Sequence, residues 1–454
     1  MRPTPTARLL ALATLSSLAL AACGGGDSST DDDSGGTDSP TQSSPDQSTS
    51  AEPSGDGEPS GSDEPSGDDT ASEGTSPSGE PSASGSESPD DEASPSGSGE
   101  PAAAGTSFTV VATGDVLVHS DIITQAGRNG PGEAYDFTPM FAPVTPWLAG
   151  GDLTICNQET PLSPDNTGLT DSMKIAVFNT PHEQADALVE AGIDACSTAN
   201  NHTLDQGVEG ARDTRQIMND AGVVPIGPAE VPTGGQQGDG SDNPVVLDAG
   251  GQKVGVLTYS YNVANAGLSA NLSSHPWMEK HMWFAQKKAG IEAQAQQARD
   301  EGADVVVAVI HWGAEYSIPP RPEQEQLAQQ LLQGDQVDAI FGHHAHLPQP
   351  CATINDKTVF YGLGNFLSAQ RKKPTNNFPP HVQDGMIGGV TFTADGKGGW
   401  TQQASYKPTI VTQPEFVIEP VSETEHPESF QRTSSTLQKL GADSCNAEIM
   451  EPQG

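Results

Sequence analysis

The sequence predicts an α/β fold built on parallel strands. From Ser107 onward, short apolar runs rich in β-branched residues alternate with helical patterns, which is the order that produces parallel sheets. The runs are almost continuously apolar, as in strands that are buried on both faces. The five predicted core strands cover residues 108–112, 153–156, 193–197, 305–310 and 337–341.

Helices and two hairpins are predicted around these strands. Thr180, Pro181 and Glu183 place a cap, a proline and an acid at the start of one helix, and Gly192 is its predicted end. Helical patterns also cover residues 290–301 and 322–333. Two pairs of apolar runs that flank glycine-rich turns predict hairpins, at residues 245–248 with 253–259 and at residues 389–393 with 400–406.

The first 23 residues predict a bacterial lipoprotein signal. Arg2 and Arg8 accompany an apolar stretch, residues 9–22, that is too short to span a bilayer. The stretch ends in the order Leu-Ala-Ala-Cys, which predicts that Cys23 is lipidated and anchors the chain to the extracellular face of the cell membrane. The alternative is an ordinary secretory signal in which Cys23 has no role.

Residues 24–105 predict a disordered acidic tether. They consist mainly of Gly, Ser, Pro, Asp and Glu, with 20 acidic residues and no Lys or Arg. Such a composition cannot bury enough apolar surface to offset its chain entropy. As a flexible coil the tether would span roughly 50 Å. The globular domain is then residues 106–415, and residues 416–454, which show little pattern, form a C-terminal tail.

The charge distribution excludes one class of partner. The net charge is −41, and the chain outside the tether holds 41 of the 61 acidic residues against 18 of the 20 basic ones, excluding Arg2 and Arg8. A net charge of −23 in this remainder argues against a nucleic-acid partner. It favours solubility outside the cell.

Four cysteines remain after Cys23, and an exported compartment permits disulfides. Four cysteines allow three pairings, and the sequence does not choose among them. Cys156 and Cys196 lie at the ends of predicted strands, where a disulfide and two buried free thiols fit the sequence equally well. Cys351 and Cys445 lie in polar, loop-like surroundings and are the pair that we expect to form a disulfide.

Candidate metal ligands follow each predicted core strand at once. In strand order they are Asp115 and His119; Asn157 and Glu159; Asn200, Asn201, His202 and Asp205; His311 and Glu315; and His343, His344 and His346. In open α/β sheets, ligands bind at the carboxyl ends of the strands. We therefore expect these side chains to form one polar, metal-binding site at a sheet edge.

Each of these features alone has a simpler explanation. A Gly-Asp pair after a strand is usually a turn, a histidine at a strand end is more often structural than a ligand, and Asn200 could cap a helix. His344 and His346 are the hardest to explain in this way, because adjacent imidazoles on a non-helical segment gain little unless something binds them. The conjunction of five strand ends carries the inference.

The mixture of residue types indicates the kind of metal. The sequence has no pair of cysteines at the spacing of a structural zinc site. Imidazole, carboxylate and amide oxygen suit Zn, Fe or Mn. Six or seven ligands fit two divalent ions about 3.5–4 Å apart that share a carboxylate, the arrangement used in phosphoester hydrolysis.

Six short motifs follow one another in a fixed order: GDVLVH, NQETPL, STANNHTLDQG, HWGAEY, GHHAHLPQP and YGLGNF. Together they resemble the CapA family of capsule synthesis proteins. This family is associated with poly-γ-glutamate production and export, and is related in fold to the calcineurin-like metallophosphoesterases. The resemblance covers residue 108 to about residue 366. It implies a four-layer α/β/β/α fold of the metallophosphoesterase type with a dinuclear metal site.

The resemblance also implies a role for individual residues. Asp115, Glu159, Asn201, His311, His344 and His346 match metal ligands, and His202 matches the acid that protonates the leaving group. His343 stands where the motif has glycine and receives no ligand role. Leu117 stands where the first phosphoesterase motif has histidine, and His119 is the candidate to replace it.

Three functions are compatible with these residues. The first is an exported, metal-dependent hydrolase of a phosphoester or a polymer bond, linked to capsule, poly-γ-glutamate or envelope-polymer metabolism. The second is a non-catalytic assembly or binding protein for an anionic envelope polymer. The third is a substrate-binding lipoprotein without metal, which the clustering of ligand-type residues at strand ends disfavours.

Lipidation of Cys23 can be tested directly. Because the lipid is the predicted membrane attachment, Cys23→Ala should release the protein into the medium, as measured by fractionation of cells. A variant that stays with the membrane after a high-salt wash would show that the anchor lies elsewhere.

Overall fold

The computed structural model describes residues 102–132, 134–170, 177–228, 243–264, 276–374 and 376–453. All of them belong to one compact unit, residues 90–454. In these ranges, no helix combines the length and the apolar character that a membrane span requires. Cys23 and most of the predicted tether lie outside the described residues.

The strands are labelled in chain order. Those of the described ranges are β1 Ser107–Leu117, β2 Leu153–Gln158, β3 Leu162–Ser163, β4 Thr180–Pro181, β5 Ala195–Ser197, β6 Val224–Ile226, β7 Val245–Ala249, β8 Gln252–Ser260, β9 Val305–His311, β10 Ala339–His343, β11 Cys351–Ile354, β12 Lys357–Phe360, β13 Asn365–Ser368, β14 Asp384–Ala394, β15 Trp400–Val411, β16 Ile418–Pro420 and β17 Glu448–Ile449.

The helices are labelled in the same way. The α-helices of the described ranges are α1 Ser120–Asn129, α2 Thr138–Phe141, α3 Thr145–Leu148, α4 Glu183–Ala191, α5 Gly207–Ala221, α6 Trp283–Asp300, α7 Pro322–Leu332 and α8 Pro427–Leu437. Short 3₁₀ helices cover Ala142–Val144, Pro276–His281 and Gly441–Asp443.

Two large mixed sheets contain all five predicted core strands. The first has the order β16-β15-β14-β1-β2-β5-β6, with β13 also paired to β1 and β17 to β15. The second has the order β11-β12-β10-β9-β8-β7. Strands β1, β2, β5 and β6 run parallel to one another, and so do β8, β9, β10 and β12. Strand β13 also pairs in parallel with β1, and β17 with β15. The other pairings in the two sheets are antiparallel and include the two predicted hairpins, which are confirmed.

The two sheets pack face to face between two layers of helices. On β9, Val305, Val307 and Val309 pack into the core that both sheets share. The alternate residues Val306 and Ala308 pack into the core formed with α6 and α7. Helices α1, α2, α4 and α5 cover the outer face of the first sheet. Burial on both faces explains the almost continuous apolar runs, and the order of layers confirms the four-layer α/β/β/α fold.

The start of α4 differs from the prediction, whereas its end is confirmed. Thr180 and Pro181 do not begin the helix but form β4, which pairs in parallel with β3. The Thr180 amide donates to the Pro161 carbonyl at 2.9 Å, so Thr180 serves a strand and not a helix cap. Gly192 ends α4 with a φ of 93°, in the left-handed region that glycine adopts without strain.

The segment after residue 415 contains regular structure that the sequence pattern does not predict. Strand β16 pairs with β15, and α8 contacts β14 through Arg432, which donates to Asp384 at 2.8 and 3.0 Å. Helix α8 escapes prediction because three of its four buried residues are hydroxyl residues, Ser429, Thr433 and Thr436. Apolar periodicity cannot detect such a face.

The predicted disulfide between Cys351 and Cys445 is confirmed, and it joins β11 to the segment after α8. Cys156 and Cys196, for which the sequence left two states open, also form a disulfide. They face each other in register on the neighbouring parallel strands β2 and β5. The Cys156–Cys196 disulfide lies directly before Asn157 in the chain.

Loss of the Cys351–Cys445 bond should lower stability. The bond closes a loop with a sequence separation of 94 residues, so its removal frees the unfolded chain. We expect Cys351→Ala with Cys445→Ala to reduce the free energy of unfolding by about 2–4 kcal/mol, measured by denaturant titration of the oxidised protein. An unchanged free energy of unfolding would show that the bond does not constrain the chain in solution.

Candidate metal centre

The carboxyl ends of the predicted core strands meet where the two sheets face each other. Asp115 of β1 pairs in register with Asn157 of β2 in the first sheet. His311 ends β9 and pairs in register with His343, which ends β10 in the second sheet. The two sheets are connected here, because the Asp115 carboxylate accepts a hydrogen bond from His343 Nδ1 at 2.9 Å.

Two glycines allow the strand ends to approach each other. A Cβ atom on Gly114 would lie 2.3 Å from the Gly364 carbonyl oxygen, and one on Gly342 would lie 2.0 Å from the Tyr361 carbonyl oxygen. Any other residue at these positions would clash with backbone. The Gly-Asp and Gly-His pairs of the motifs are therefore steric requirements of the site and not only turn signals.

Asp115 is fully buried and held by several donors. Its Oδ1 accepts from Asn157 Nδ2 at 2.8 Å and from His343, and its Oδ2 accepts from the His344 amide at 3.2 Å. His346 Nδ1 lies 3.2 Å from the same Oδ2. Burial raises the pKa of the Asp115 carboxyl, but His343 and His346 lower it to well below its usual value. Asp115 is therefore ionised.

Glu159 is a buried carboxyl that lacks hydrogen-bond donors in the described part of the chain. Neither of its oxygens has a hydrogen-bond partner there, although the residue is only 1% exposed. Its Oε1 lies 3.6 Å from His311 Nε2 and 3.8 Å from His346 Nε2. Burial raises the pKa of Glu159 well above its usual value, and the charge of His346 offsets only part of this effect. A buried carboxyl in this state is stabilised by a cation.

Potential ligand atoms form two groups that share one histidine. Asp115, Glu159 and His346 form the first group, and Glu315, His344 and His346 form the second. Within each group the ligand atoms lie within 4.8 Å of one another. These donors are carboxylates and imidazoles, which suit Zn, Fe or Mn. The residues present thus fit divalent metal.

Asn201 and His311 lie against these groups. Asn201 Oδ1 and His311 Nε2, both potential ligand atoms, face each other at 2.8 Å. The rings of His311 and His344 have centroids 4.7 Å apart. All six residues predicted as ligands are therefore brought together.

Burial gives two of the histidines the protonation state that metal binding needs. It lowers the pKa of His344 to about 3 and that of His311 well below its usual value. His344 Nδ1 is buried and has no hydrogen-bond partner within the ranges that the structure describes. Both rings are therefore neutral at pH 7, and neutral imidazole is the form that binds metal.

His346 is protonated for a different reason. Burial lowers its pKa, but the carboxylates of Glu159 and Asp115 raise it further, to about 9. The His346 proton thus balances the same two carboxylates that a cation would balance. His344 and His346 also have φ angles of 89° and 53°, a left-handed conformation that non-glycine residues adopt at a cost and mostly at functional sites.

His202 is placed beside the ligand groups and is held by a second residue. Its Nδ1 lies 2.7 Å from Asp205 Oδ2, and that carboxylate also accepts the Phe178 amide at 2.8 Å. The Phe178 ring meets the His202 ring edge-on at 4.7 Å. A carboxylate on Nδ1 fixes the orientation of the ring, which is the arrangement of a general acid.

His119, the candidate replacement for a ligand at position 117, lies at the edge of the site. Its Nδ1 is 3.0 Å from the Leu117 carbonyl and 3.3 Å from the Ala369 amide, so the backbone engages this nitrogen. Burial lowers the pKa of His119 to about 3. It belongs to neither of the ligand groups found among the described residues.

Several residues of the site have contacts or roles that the sequence did not predict. His343, to which no ligand role was given, binds Asp115 and so positions a ligand. Asn365 Oδ1 lies 3.1 Å from His346 Nδ1. The only indication of this residue in the sequence is its position in the YGLGNF motif. Glu315 joins a ligand group. Tyr261 and Tyr316 pack on His344 and His346 with ring centroids 4.5 and 5.8 Å apart, and no sequence spacing signalled these contacts.

Comparison with known proteins gives a family match. The family described as "Bacterial capsule synthesis protein PGA_cap" matches residues 109–370. The capsule biosynthesis protein CapA of Bacillus anthracis is 28% identical over 280 residues, which cover 61% of this chain and 64% of that protein. The PGA biosynthesis protein CapA of Bacillus subtilis (strain 168) is 26% identical over 231 residues, covering 51% of this chain and 57% of that protein. The match thus spans less than two thirds of either relative.

A solved structure is also similar. It is that of a phosphatase from Mycoplasma pneumoniae, which is 14% identical, and the match covers 69% of this chain and 96% of that chain at a TM-score of 0.40. At that score the likeness supports no conclusion about activity. The assignment of the four-layer fold rests on the sheets and helix layers.

Substitution of the shared histidine should remove metal. We expect His346→Ala and Glu159→Gln to lose most of the bound metal, because His346 belongs to both ligand groups and Glu159 is the carboxyl without other partners. His344→Ala should lose part of it. Metal per chain is measured by plasma mass spectrometry on the purified protein.

Two further variants calibrate this result. His426→Ala changes a partly exposed histidine that binds Glu419, and should keep wild-type metal content. His343→Ala should show an intermediate loss, because it removes a hydrogen bond to Asp115 and no ligand. Unchanged metal content in all variants of the site would contradict the metal-centre interpretation.

Proposed function

We propose that this chain, which belongs to the bacterial capsule synthesis protein family PGA_cap, is a metal-dependent hydrolase that acts on a phosphoester or polymer bond of the cell envelope. The observation that carries the proposal is the buried Glu159 carboxyl, which lies among histidines and has no hydrogen-bond donor among the described residues. Burying such a carboxyl without a donor is unfavourable for the protein alone. A divalent cation beside it would offset this cost.

The proposed ligands are those that meet at the strand ends. They are Asp115, Glu159, Asn201, His311, His344 and His346, with Glu315 as an added carboxylate. Two divalent ions, Mn, Fe or Zn, would supply Lewis-acid charge to the scissile group and to an attacking water. The exposed position of Glu315 puts it on the side from which a substrate enters.

The chain's own residues divide the remaining tasks. Asp205 is hydrogen-bonded to Nδ1 of His202, so Nε2 is the nitrogen that would donate a proton to the leaving group. Phe178 fixes the ring of His202 from the side. Tyr261 and Tyr316 cover His344 and His346, and so keep bulk water from the ligands while leaving the side of Glu315 open.

The proposed substrate class is a bond within the polymers of the envelope, linked to capsule or poly-γ-glutamate metabolism. The names of the relatives from the two Bacillus species, a capsule and a PGA biosynthesis protein, support this class. Because the match covers only part of each relative, their activities and partners are carried over here only as proposals.

The proposed location is the extracellular face of the cell membrane. Lipidated Cys23 would be the anchor, and the acidic tether would hold the domain away from the bilayer by roughly 50 Å. The net charge of −41 supports an exported protein and disfavours a nucleic-acid partner. An anionic envelope polymer is the proposed partner, with metal offsetting the repulsion between like charges.

A non-catalytic assembly or binding protein is the second candidate function. The observation that favours it is Leu117, a buried apolar residue where the phosphoesterase motif has histidine. Because His119 belongs to neither ligand group of the described residues, one of the two metals would have fewer ligands. A centre of this kind could bind a polymer without cleaving it.

The role of His202 separates these two functions. In a hydrolase, His202→Ala should keep its metal and lose about 10²–10⁴-fold in turnover, the usual contribution of general acid catalysis. Asp205→Asn, which preserves the shape of the side chain, should show a smaller loss. Turnover is measured with a panel of phosphodiester, phosphomonoester and γ-glutamyl amide substrates.

Metal content and a control variant make the result decisive. His426→Ala should match the wild type in turnover and in metal content. A wild-type protein that carries metal but turns over no substrate of the panel would refute the hydrolase and leave the binding protein. A loss of metal in His202→Ala would contradict the proposed division between ligands and acid.

A further inference from the structure

A cavity of about 230 Å³ lies between α8 and the start of β14. Two basic side chains, Arg432 and Lys439, line it together with one acid, Asp384, and with His381, whose pKa is lowered by burial. This concentration of bases is unusual in a chain with 61 acidic and 20 basic residues. It indicates that the cavity accepts negative charge.

The single acid in the cavity is already neutralised. Asp384 accepts two hydrogen bonds from Arg432, at 2.8 and 3.0 Å, and a third from Ser429 Oγ at 2.7 Å. Glu428 lies outside the cavity lining, with its carboxylate 3.9 Å from Arg432. Asp384 and Arg432 therefore cancel each other, and the charge of Lys439 remains available to a ligand.

A buried hydroxyl in the cavity wall has no partner. Thr433 is 1% exposed, and its Oγ1 has no hydrogen-bond partner in the described part of the chain. A buried polar group left in this state is unfavourable unless it binds something. Thr433 and Lys439 line the same cavity, so the Thr433 hydroxyl is the candidate donor to an oxyanion bound there.

The cavity adjoins the metal centre. Pro348 in its wall lies two residues after His346, and Ile318 lies two residues after Tyr316. Asn365 also connects the two places, because its Nδ2 donates to the Val382 carbonyl at 3.0 Å and its Oδ1 lies 3.1 Å from His346 Nδ1. The walls of the cavity and of the metal centre therefore share adjoining segments of the chain, residues 316–318 and 346–348.

The charged lining of the cavity is separate from the region that matches the family. That match ends at residue 370, whereas His381, Asp384, Arg432, Thr433 and Lys439 all follow it. The hydroxyl-rich face of α8 and the ion pair to β14 build this part of the wall. The C-terminal segment thus adds a feature of its own beside the shared centre.

We propose that this cavity is an anion-binding subsite, which holds a carboxylate or phosphate group of the ligand while a neighbouring bond lies at the metal centre. Lys439 supplies the charge and Thr433 a hydrogen bond to the oxyanion. The subsite deepens the proposed function, since it makes the substrate a repeating polyanion. Its binding can be measured without turnover, so it fails or succeeds independently of hydrolysis.

Binding of two probes tests the subsite. Inorganic phosphate and a triglutamate peptide are titrated by calorimetry into the full mature protein, both as purified and after treatment with a chelator. We expect wild-type protein to bind at least one probe in both states. Binding of phosphate alone or of the peptide alone identifies which oxyanion the subsite prefers.

Two substitutions locate the binding. Thr433→Val removes a hydroxyl that makes no hydrogen bond to the described residues, so folding should be unchanged while probe affinity falls by about tenfold. Lys439→Gln should reduce the affinity at least as much. Lys397→Gln is the matched control, because Lys397 is exposed in the turn at the opposite end of β14 from Asp384.

The outcomes are distinct. Losses in Thr433→Val and Lys439→Gln with wild-type affinity in Lys397→Gln would support the subsite. Absence of binding to the wild type, equal losses in Lys397→Gln, or a loss in Lys439→Gln with full affinity in Thr433→Val would overturn it. The last result would place the anion on the surface and not in the cavity. Binding that disappears with the chelator would assign the probe to the metal centre and would also overturn it.

Discussion

The arrangement of the site depends on a buried carboxyl, Glu159, that no donor of the described chain satisfies. Removing such a group from water is costly unless opposite charge lies beside it. Here that charge comes from His346, whose pKa is raised to about 9 by Glu159 and Asp115. The protonated His346 thus lies beside two buried carboxyls from neighbouring strand ends, and a divalent cation would meet the same need with more charge.

The fold brings the residues of this site close to one another. Parallel strands bring their carboxyl ends to one edge, and the two sheets face each other so that Asp115 of one binds His343 of the other. Gly114 and Gly342 let the strand ends approach within distances that no side chain would allow. The disulfide between β2 and β5 lies directly before Asn157, and so connects two of the contributing strands.

Sequence reasoning located the core strands and the six proposed ligands, because buried strands and clustered ligand-type residues leave local signals. It could not find the contact between His343 and Asp115, since these residues are 228 positions apart and meet only through the packing of two sheets. It also missed α8, whose buried face is formed mainly by Ser429, Thr433 and Thr436. Thr180 and Pro181 match a helix start locally, but their pairing with β3 depends on tertiary structure.

The central claim is that Glu159 lies between divalent cations. Anomalous X-ray diffraction from crystals of the purified, metal-loaded protein tests it most directly. The account predicts two anomalous peaks, about 3.5–4 Å apart, that flank the Glu159 carboxylate, with His346 bound to one of them. A crystal structure without anomalous peaks beside Glu159, in which that carboxylate instead accepts hydrogen bonds from the protein, would contradict it.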